Sequence, residues 1–185
     1  IIPFHRATGR CESPAAYHPR QHLSPLEWYT HPMQLDAFFI DLDDTVYPAS
    51  SGIWSLIRQR IGQYMQEKLG LPESVVPELR RSLFEQYGTT LRGLQAEYQV
   101  DIEEYLAYVH DVPVEQVLKP DPLLRRVLRE YPQPKYIFTN ADSHHALRVL
   151  TALDLVDCFS GIIDIRQIAP SCKPQPYAFQ VALKT

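Results

Sequence analysis

Phe38-Phe39-Ile40-Asp41-Leu42-Asp43-Asp44-Thr45-Val46-Tyr47 decides how this chain folds. Large apolar residues run straight into three carboxylates and a threonine. A short apolar run reads as a buried strand, and the acids mark where the backbone leaves the sheet. In open α/β sheets, ligands bind just outside the carboxyl ends of the strands. Asp41 and Asp43 stand two residues apart, so both can point to one side of an extended or gently turning backbone. Two close carboxylates repel, and one then holds a proton more readily unless a cation intervenes. That division suits a nucleophile with a general acid, a Mg²⁺ site, or both. The plainer alternative is a strand followed by a solvated acidic turn.

Two later stretches repeat the pattern. Tyr136-Ile137-Phe138 closes on Thr139-Asn140, and Gly161-Ile162-Ile163-Asp164-Ile165 is followed by Lys173-Pro174. An acid pair, a hydroxyl and a lysine, each past an expected parallel strand, would converge on one crevice. Taken singly, Thr139 would bond its own backbone and Lys173 would be a solvated lysine.

More than ninety residues separate Asp41 from the second strand. That exceeds a simple crossover helix, so the interval holds a small domain of its own. Its pattern is helical. Ile53, Leu56, Ile57, Ile61, Tyr64 and Met65 recur at helical spacing, with Ser50 or Ser51 as the cap and Gly70 as the stop. A second helix is expected over 73–87, with Pro77 in its first turn and Leu79, Leu83 and Phe84 inward. A third covers 90–98, and a fourth opens at Asp101 with Glu104 three residues on, a capping-box arrangement. Beyond the insertion, Asp121-Pro122 opens a helix whose Leu123, Leu124, Val127 and Leu128 face the sheet. Further helices over 143–153 (Ala146, Leu147, Val149 and Leu150 inward) and 175–183 complete an α/β alternation with a parallel sheet.

Composition narrows the function classes. The chain of 185 residues is 45% hydrophobic and 22% charged, ordinary for a globular protein with a substantial core. A net charge of −4 argues against a general binder of nucleic-acid polymers, but a small phosphate needs only a few local cations. No apolar run approaches the ~20 residues of a membrane span. Cys11, Cys158 and Cys172 are scattered and odd in number, which fits a reducing, cytoplasmic setting better than a disulfide framework. Cys172 reads as packed and inert. His5, His18, His22 and His31 lack ligand spacing, and His110, His144 and His145 read as helix-end or surface residues. Residues 1–32 show no period and no signal-peptide pattern, and Met33 is expected to be the natural start.

The chain resembles the haloacid dehalogenase-like hydrolases through three motifs in that superfamily's order: Asp-x-Asp-x-Thr at Asp41–Thr45, the strand-end Thr139, and Lys173. Asp41–Pro48, Tyr87–Leu94 and Thr139–Asp142 are similar to the pyrimidine 5'-nucleotidase-like branch. The resemblance implies a Rossmann-like parallel core over 33–48 and 116–185 and a helical cap over 49–115. It implies that Asp41 attacks phosphorus, that Asp43 acts as acid and then base, and that Thr139 and the Asn140 amide bind phosphoryl oxygens. Lys173 would offset the gathered charge. An acid at Asp43 favours phosphate esters over halides, whose departure needs no proton. Mg²⁺ would take the Asp41 side chain and the Asp43 backbone carbonyl. Thr45 would support the turn rather than touch substrate, and Asp44 would be structural or stand behind the residues that touch substrate. Thr89, Thr90 and Arg92 are candidates for the rest of the substrate.

The implied activity is a Mg²⁺-dependent phosphomonoesterase acting on pyrimidine nucleoside 5'-monophosphates or similar small phosphorylated metabolites. The alternatives are a sugar-phosphate or phosphoglycolate-type phosphatase, and a truncated, non-catalytic domain binding phosphates or a partner. The family's fourth motif supplies another acid beyond a further helix and strand, whereas this chain stops twelve residues after Lys173. The core is therefore expected to be C-terminally truncated, with a longer full gene product and an open edge on the Asp41 strand. Oligomeric state is not legible.

Overall fold

The computed structural model describes residues 35–184. The extension over 1–32, its histidines, Cys11 and Met33 lie outside the described residues. β1 (Phe38–Ile40), β2 (Lys135–Phe138) and β3 (Gly161–Ile163) form a parallel sheet in the order β1-β2-β3. The register pairs Ile40 with Ile137 and Phe138 with Ile163, so all three strands end along one edge. β1 pairs with β2 alone and borders the sheet among the described residues. The chain is a mixed α/β fold, as the alternation predicts.

Between β1 and β2 lie α1 (Ile53–Glu67), α2 (Val76–Tyr87), α3 (Thr90–Tyr98), α4 (Ile102–Val109), the short α5 (Val114–Val117) and α6 (Pro122–Glu130). α7 (Ser143–Ala152) joins β2 to β3, and α8 (Pro176–Ala182) follows Lys173. The caps are local and legible. Asp101 accepts from the Glu104 amide at 2.8 Å, Asp121 from the Leu124 amide at 2.9 Å and Asp142 from the His145 amide at 2.8 Å. α1 departs from expectation: its cap is Gly52 in the left-handed region, while Ser51 Oγ accepts from the Ile53 amide at 3.3 Å.

The core joins the insertion to the sheet. Leu42, Ile53, Met65, Leu94, Ile137, Val149 and Ile165 are buried in one cluster. Four expected core residues lie outside it. Leu147 is exposed because α7 buries Ala146, Val149 and Leu150, and Leu147 lies one step further round the helix. Leu123 and Val127 are exposed because α6 meets the core along a narrow ridge at Leu128, with Leu124 half-buried. Phe84 is exposed because that face of α2 borders a cavity rather than the core.

Two tethers hold the insertion against the sheet's loops. The Arg92 guanidinium donates to the Ser171 carbonyl at 3.0 Å, the Ile165 carbonyl at 2.6 Å and Gln95 Oε1 at 2.8 Å. Arg166 forks onto Glu103 at 2.7 and 2.6 Å. Gly93 lets α3 approach α2: a Cβ there would sit 2.7 Å from Leu83 Cβ. Gly93→Ala should therefore destabilise the fold by about 1–3 kcal/mol through overpacking, measured as a lowered urea midpoint with unchanged slope.

Candidate active site

The turn after β1 builds the site's acidic wall. Leu42 enters the core, so its neighbours Asp41 and Asp43 are left on the side of a cavity of about 920 Å³. Asp44 closes the turn in the left-handed region (φ 54°), a conformation aspartate tolerates better than most side chains. The Thr45 hydroxyl donates to the Asp43 carbonyl at 3.4 Å, a turn-supporting role.

Lys173, 132 residues from Asp41, places its Nζ 2.6 Å from Asp41 Oδ1. The same ammonium donates to the Phe138 carbonyl at 2.5 Å, at the last residue of β2. Its backbone is fixed by Asn140: Oδ1 accepts from the Lys173 amide at 2.8 Å, and Nδ2 donates to the Lys173 carbonyl at 3.0 Å. With the Asn140 side chain so committed, its backbone N–H is the group left for a ligand. Thr139 is buried, and its Oγ1 accepts from the Ala141 amide at 2.9 Å, which leaves the hydroxyl hydrogen free to donate. Asp41, Asp43, Thr139, Asn140 and Lys173 all line the one cavity. The strand ends thus meet as the sequence predicts.

The candidates in the insertion divide. Thr89 and Thr90 line the cavity, with Thr89 also capping α3 by accepting from the Arg92 amide at 3.1 Å. Arg92 does not reach it. Its guanidinium is buried among the carbonyls of the loops after β3, and in its place Arg58, Arg80 and Arg81 of α1 and α2 line the cavity beside the rings of Trp54 and Phe84. Nothing in the spacing of Trp54 or the three arginines separates them from solvated helix residues, and Phe84, expected in the core, borders the cavity instead.

The histidines correct the sequence reading most. His145 is wholly buried and His110 nearly so, their rings stacked at 4.4 Å and 15°. His145 Nε2 lies 3.0 Å from Asp43 Oδ1, and the Tyr47 hydroxyl donates to the same oxygen at 2.5 Å. His110 Nδ1 lies 2.6 Å from Asp142 Oδ2. The cap at Asp142, three residues before His145, was the available signal, since it points that side chain along the first turn of α7. His144 stays at the exposed helix start. Cys172 is buried, its Sγ 3.4 Å from the Tyr87 carbonyl, as expected of a packed thiol.

Burial alone would raise the pKa of Asp43, but the hydrogen bonds from His145 and Tyr47 outweigh it and the net shift is downward. Tyr47, buried beside that carboxylate, is pushed far above the usual phenol range. Burial is also the largest effect on His110 and holds its imidazole below 6.5 despite Asp142. Asp142 is itself partly desolvated, yet the His110 bond keeps it well below the usual carboxylate range. As pH falls through 6.5 the unfolded chain takes up a proton at His110 before the folded chain does, so stability falls with pH there. Asp142 adds a second loss below about pH 4, its contribution being complete above that. The urea midpoint should therefore drop between about pH 7.5 and about pH 5, and His110→Gln should flatten that slope.

A family model for haloacid dehalogenase-like hydrolases matches residues 35–185. Phosphate metabolism protein 8 of Saccharomyces cerevisiae is 30% identical over 159 residues, covering 78% of this chain and 50% of the yeast protein. The chain thus spans about half the length of that curated relative. Among solved structures, the magnesium-bound HAD-hydrolase YfnB of Bacillus subtilis aligns over 80% of this chain and 72% of its own, at 17% identity and a TM-score of 0.48. The haloacid dehalogenase-like family protein SP0104 of Streptococcus pneumoniae aligns over 81% and 69%, at 21% identity and a TM-score of 0.46. The strand-end motifs and the family match agree, and the chain belongs to the haloacid dehalogenase-like hydrolases.

Proposed function

We propose that this hydrolase is a Mg²⁺-dependent phosphomonoesterase of the pyrimidine 5'-nucleotidase-like branch, working through an aspartyl-phosphate on Asp41. The observation that carries this reading is the Lys173 ammonium 2.6 Å from Asp41 Oδ1, with the acid Asp43 two residues on and Thr139 beside them. A carboxylate nucleophile brought against a phosphoryl group gathers negative charge, and a fixed cation and hydroxyl offset it. Most of the acceleration in phosphoryl transfer comes from such positioning. The relationship to a yeast phosphate metabolism protein supports the same class.

Among the described residues no group of three or more His, Cys, Asp or Glu side chains is disposed to hold a metal ion. The Asp41 carboxylate and the Asp43 carbonyl are nevertheless hard oxygen donors at the cavity wall, a set that suits Mg²⁺, which keeps several waters and leans on substrate phosphate. Bound there, Mg²⁺ would supply charge neutralisation at the phosphoryl oxygens. Asp41 attacks, Thr139 and the Asn140 amide orient the phosphoryl oxygens, Lys173 balances charge, and Asp43 transfers the proton.

In this reading residues 49–115 form the cap and 33–48 with 116–185 the core. The cavity volume, the three arginines and the rings of Trp54 and Phe84 support an anionic substrate with a flat apolar portion, such as a nucleoside monophosphate. Cys158 and Cys172 are free thiols, which supports a cytoplasmic setting.

Phosphate release from the full-length protein tests this. Pyrimidine nucleoside 5'-monophosphates should be preferred over sugar phosphates and phosphoglycolate, and chelation should abolish turnover until Mg²⁺ is restored. Asp41→Asn should lower kcat by at least about 10³-fold, and Lys173→Met by about 10²-fold. Full turnover by the Asp41 variant would refute the covalent route, and a preference for sugar phosphates would move the protein to another branch.

A further inference from the structure

Asp43 has two carboxylate oxygens, and the fold treats them differently. Oδ1 receives the Tyr47 hydroxyl at 2.5 Å and faces His145 Nε2 at 3.0 Å. A carboxylate oxygen has two lone pairs, so two donors fill it. Among the described residues Oδ2 takes part in no such bond, and Asp43 lines the cavity.

The hydrogen on His145 can be located by elimination. Its Nδ1 is buried without a hydrogen-bond partner. A hydrogen on that nitrogen would be a buried donor with no acceptor, which is costly, whereas an unprotonated ring nitrogen loses less. The hydrogen therefore sits on Nε2 and points at Asp43 Oδ1. The ring is also held against rotation. It stacks on His110 at 4.4 Å, His110 Nδ1 is bound to Asp142 Oδ2 at 2.6 Å, and Asp142 Oδ1 takes the His145 amide at 2.8 Å. One aspartate thus fixes the start of α7 and, through His110, the ring at that start.

We propose that Tyr47 and His145 are paired positioning residues that hold Asp43 by Oδ1 alone, so that Oδ2 is the oxygen that carries the catalytic proton. The inference rests on the phosphomonoesterase reading and assigns a direction to its acid–base step. When the bond from phosphorus to the ester oxygen breaks, the electron pair stays on that oxygen, which takes the proton from Asp43 Oδ2. Asp43 is left as a carboxylate with both donors on Oδ1. In the second half, Oδ2 accepts a proton from the water whose oxygen attacks the aspartyl-phosphate, which replaces the proton given to the leaving group. A carboxyl free to rotate would present the wrong oxygen part of the time.

The test compares two esters with the full-length protein. A nucleoside 5'-monophosphate loses an alkoxide that needs a proton; 4-nitrophenyl phosphate loses a phenolate that does not. In Tyr47→Phe and His145→Leu, the ratio of kcat/KM for the nucleotide to that for the nitrophenyl ester should fall about 10- to 100-fold. His145→Gln, whose amide nitrogen reaches toward the Nε2 position, should recover most of the ratio. ¹⁵N-labelled histidine NMR of the wild type should show His145 as the neutral Nε2–H tautomer. Equal losses on both esters, as from a purely structural role, would overturn the proposal, as would an Nδ1–H tautomer. A wild type that turns over neither ester would count against the phosphomonoesterase reading, and the tautomer would then decide the Asp43 clamp alone.

Discussion

The ammonium of Lys173 can lie against Asp41 only if the ends of two strands and the loop after a third come to one place. Asp41 leaves β1, the Phe138 carbonyl ends β2, and Lys173 follows the loop after β3. Asn140 sets the position of that loop, because its side-chain amide bonds both the N–H and the C=O of Lys173. The parallel register brings the strand ends level, and the amide then fixes the remaining reach of the lysine. The ion pair itself is half-open to solvent at Asp41, so little stability is expected of it. Its importance is positional: a carboxylate and an ammonium face the same hollow.

The core of this arrangement was legible in the sequence because it depends on local grammar. Apolar runs that stop at Asp41, Thr139 and Asp164 mark strand ends, and strand ends of a parallel sheet point one way. Asp101 and Asp121 were readable as caps for the same reason, since each acts on an amide three residues away. Arg92 shows where that grammar stops. It sits at a glycine-flanked turn that could face either way, and its burial is set by the carbonyls of Ile165 and Ser171, more than seventy residues distant. His145 looked like a surface residue because its burial depends on Asp43 in the turn after β1 and on His110 just past α4, both distant in sequence. Phe84 and Leu147 misled because helical period gives a face but not its width.

The insertion contributes one wall of the cavity. Arg92 and Arg166 reach from opposite directions, one from α3 to the loops after β3 and one from that loop to α4. These tethers keep α1 and α2 over the strand ends, where Trp54, Arg58, Arg80 and Phe84 face the cavity. The strand-end residues and the helix residues can therefore vary separately, because the two sets share a cavity but no backbone element. The Asp43–His145–His110–Asp142 series runs from the cavity wall at Asp43 into the core, where the two imidazoles and Asp142 are buried.

The most direct measurement is a crystal structure of the full-length protein grown with Mg²⁺ and beryllium trifluoride, which mimics a phosphoryl group on a carboxylate. The adduct should form on Asp41, with Lys173 Nζ, Thr139 Oγ1 and the Asn140 amide within about 3 Å of its fluorines. An adduct on another residue, or one on Asp41 facing away from Lys173 and Thr139, would contradict it.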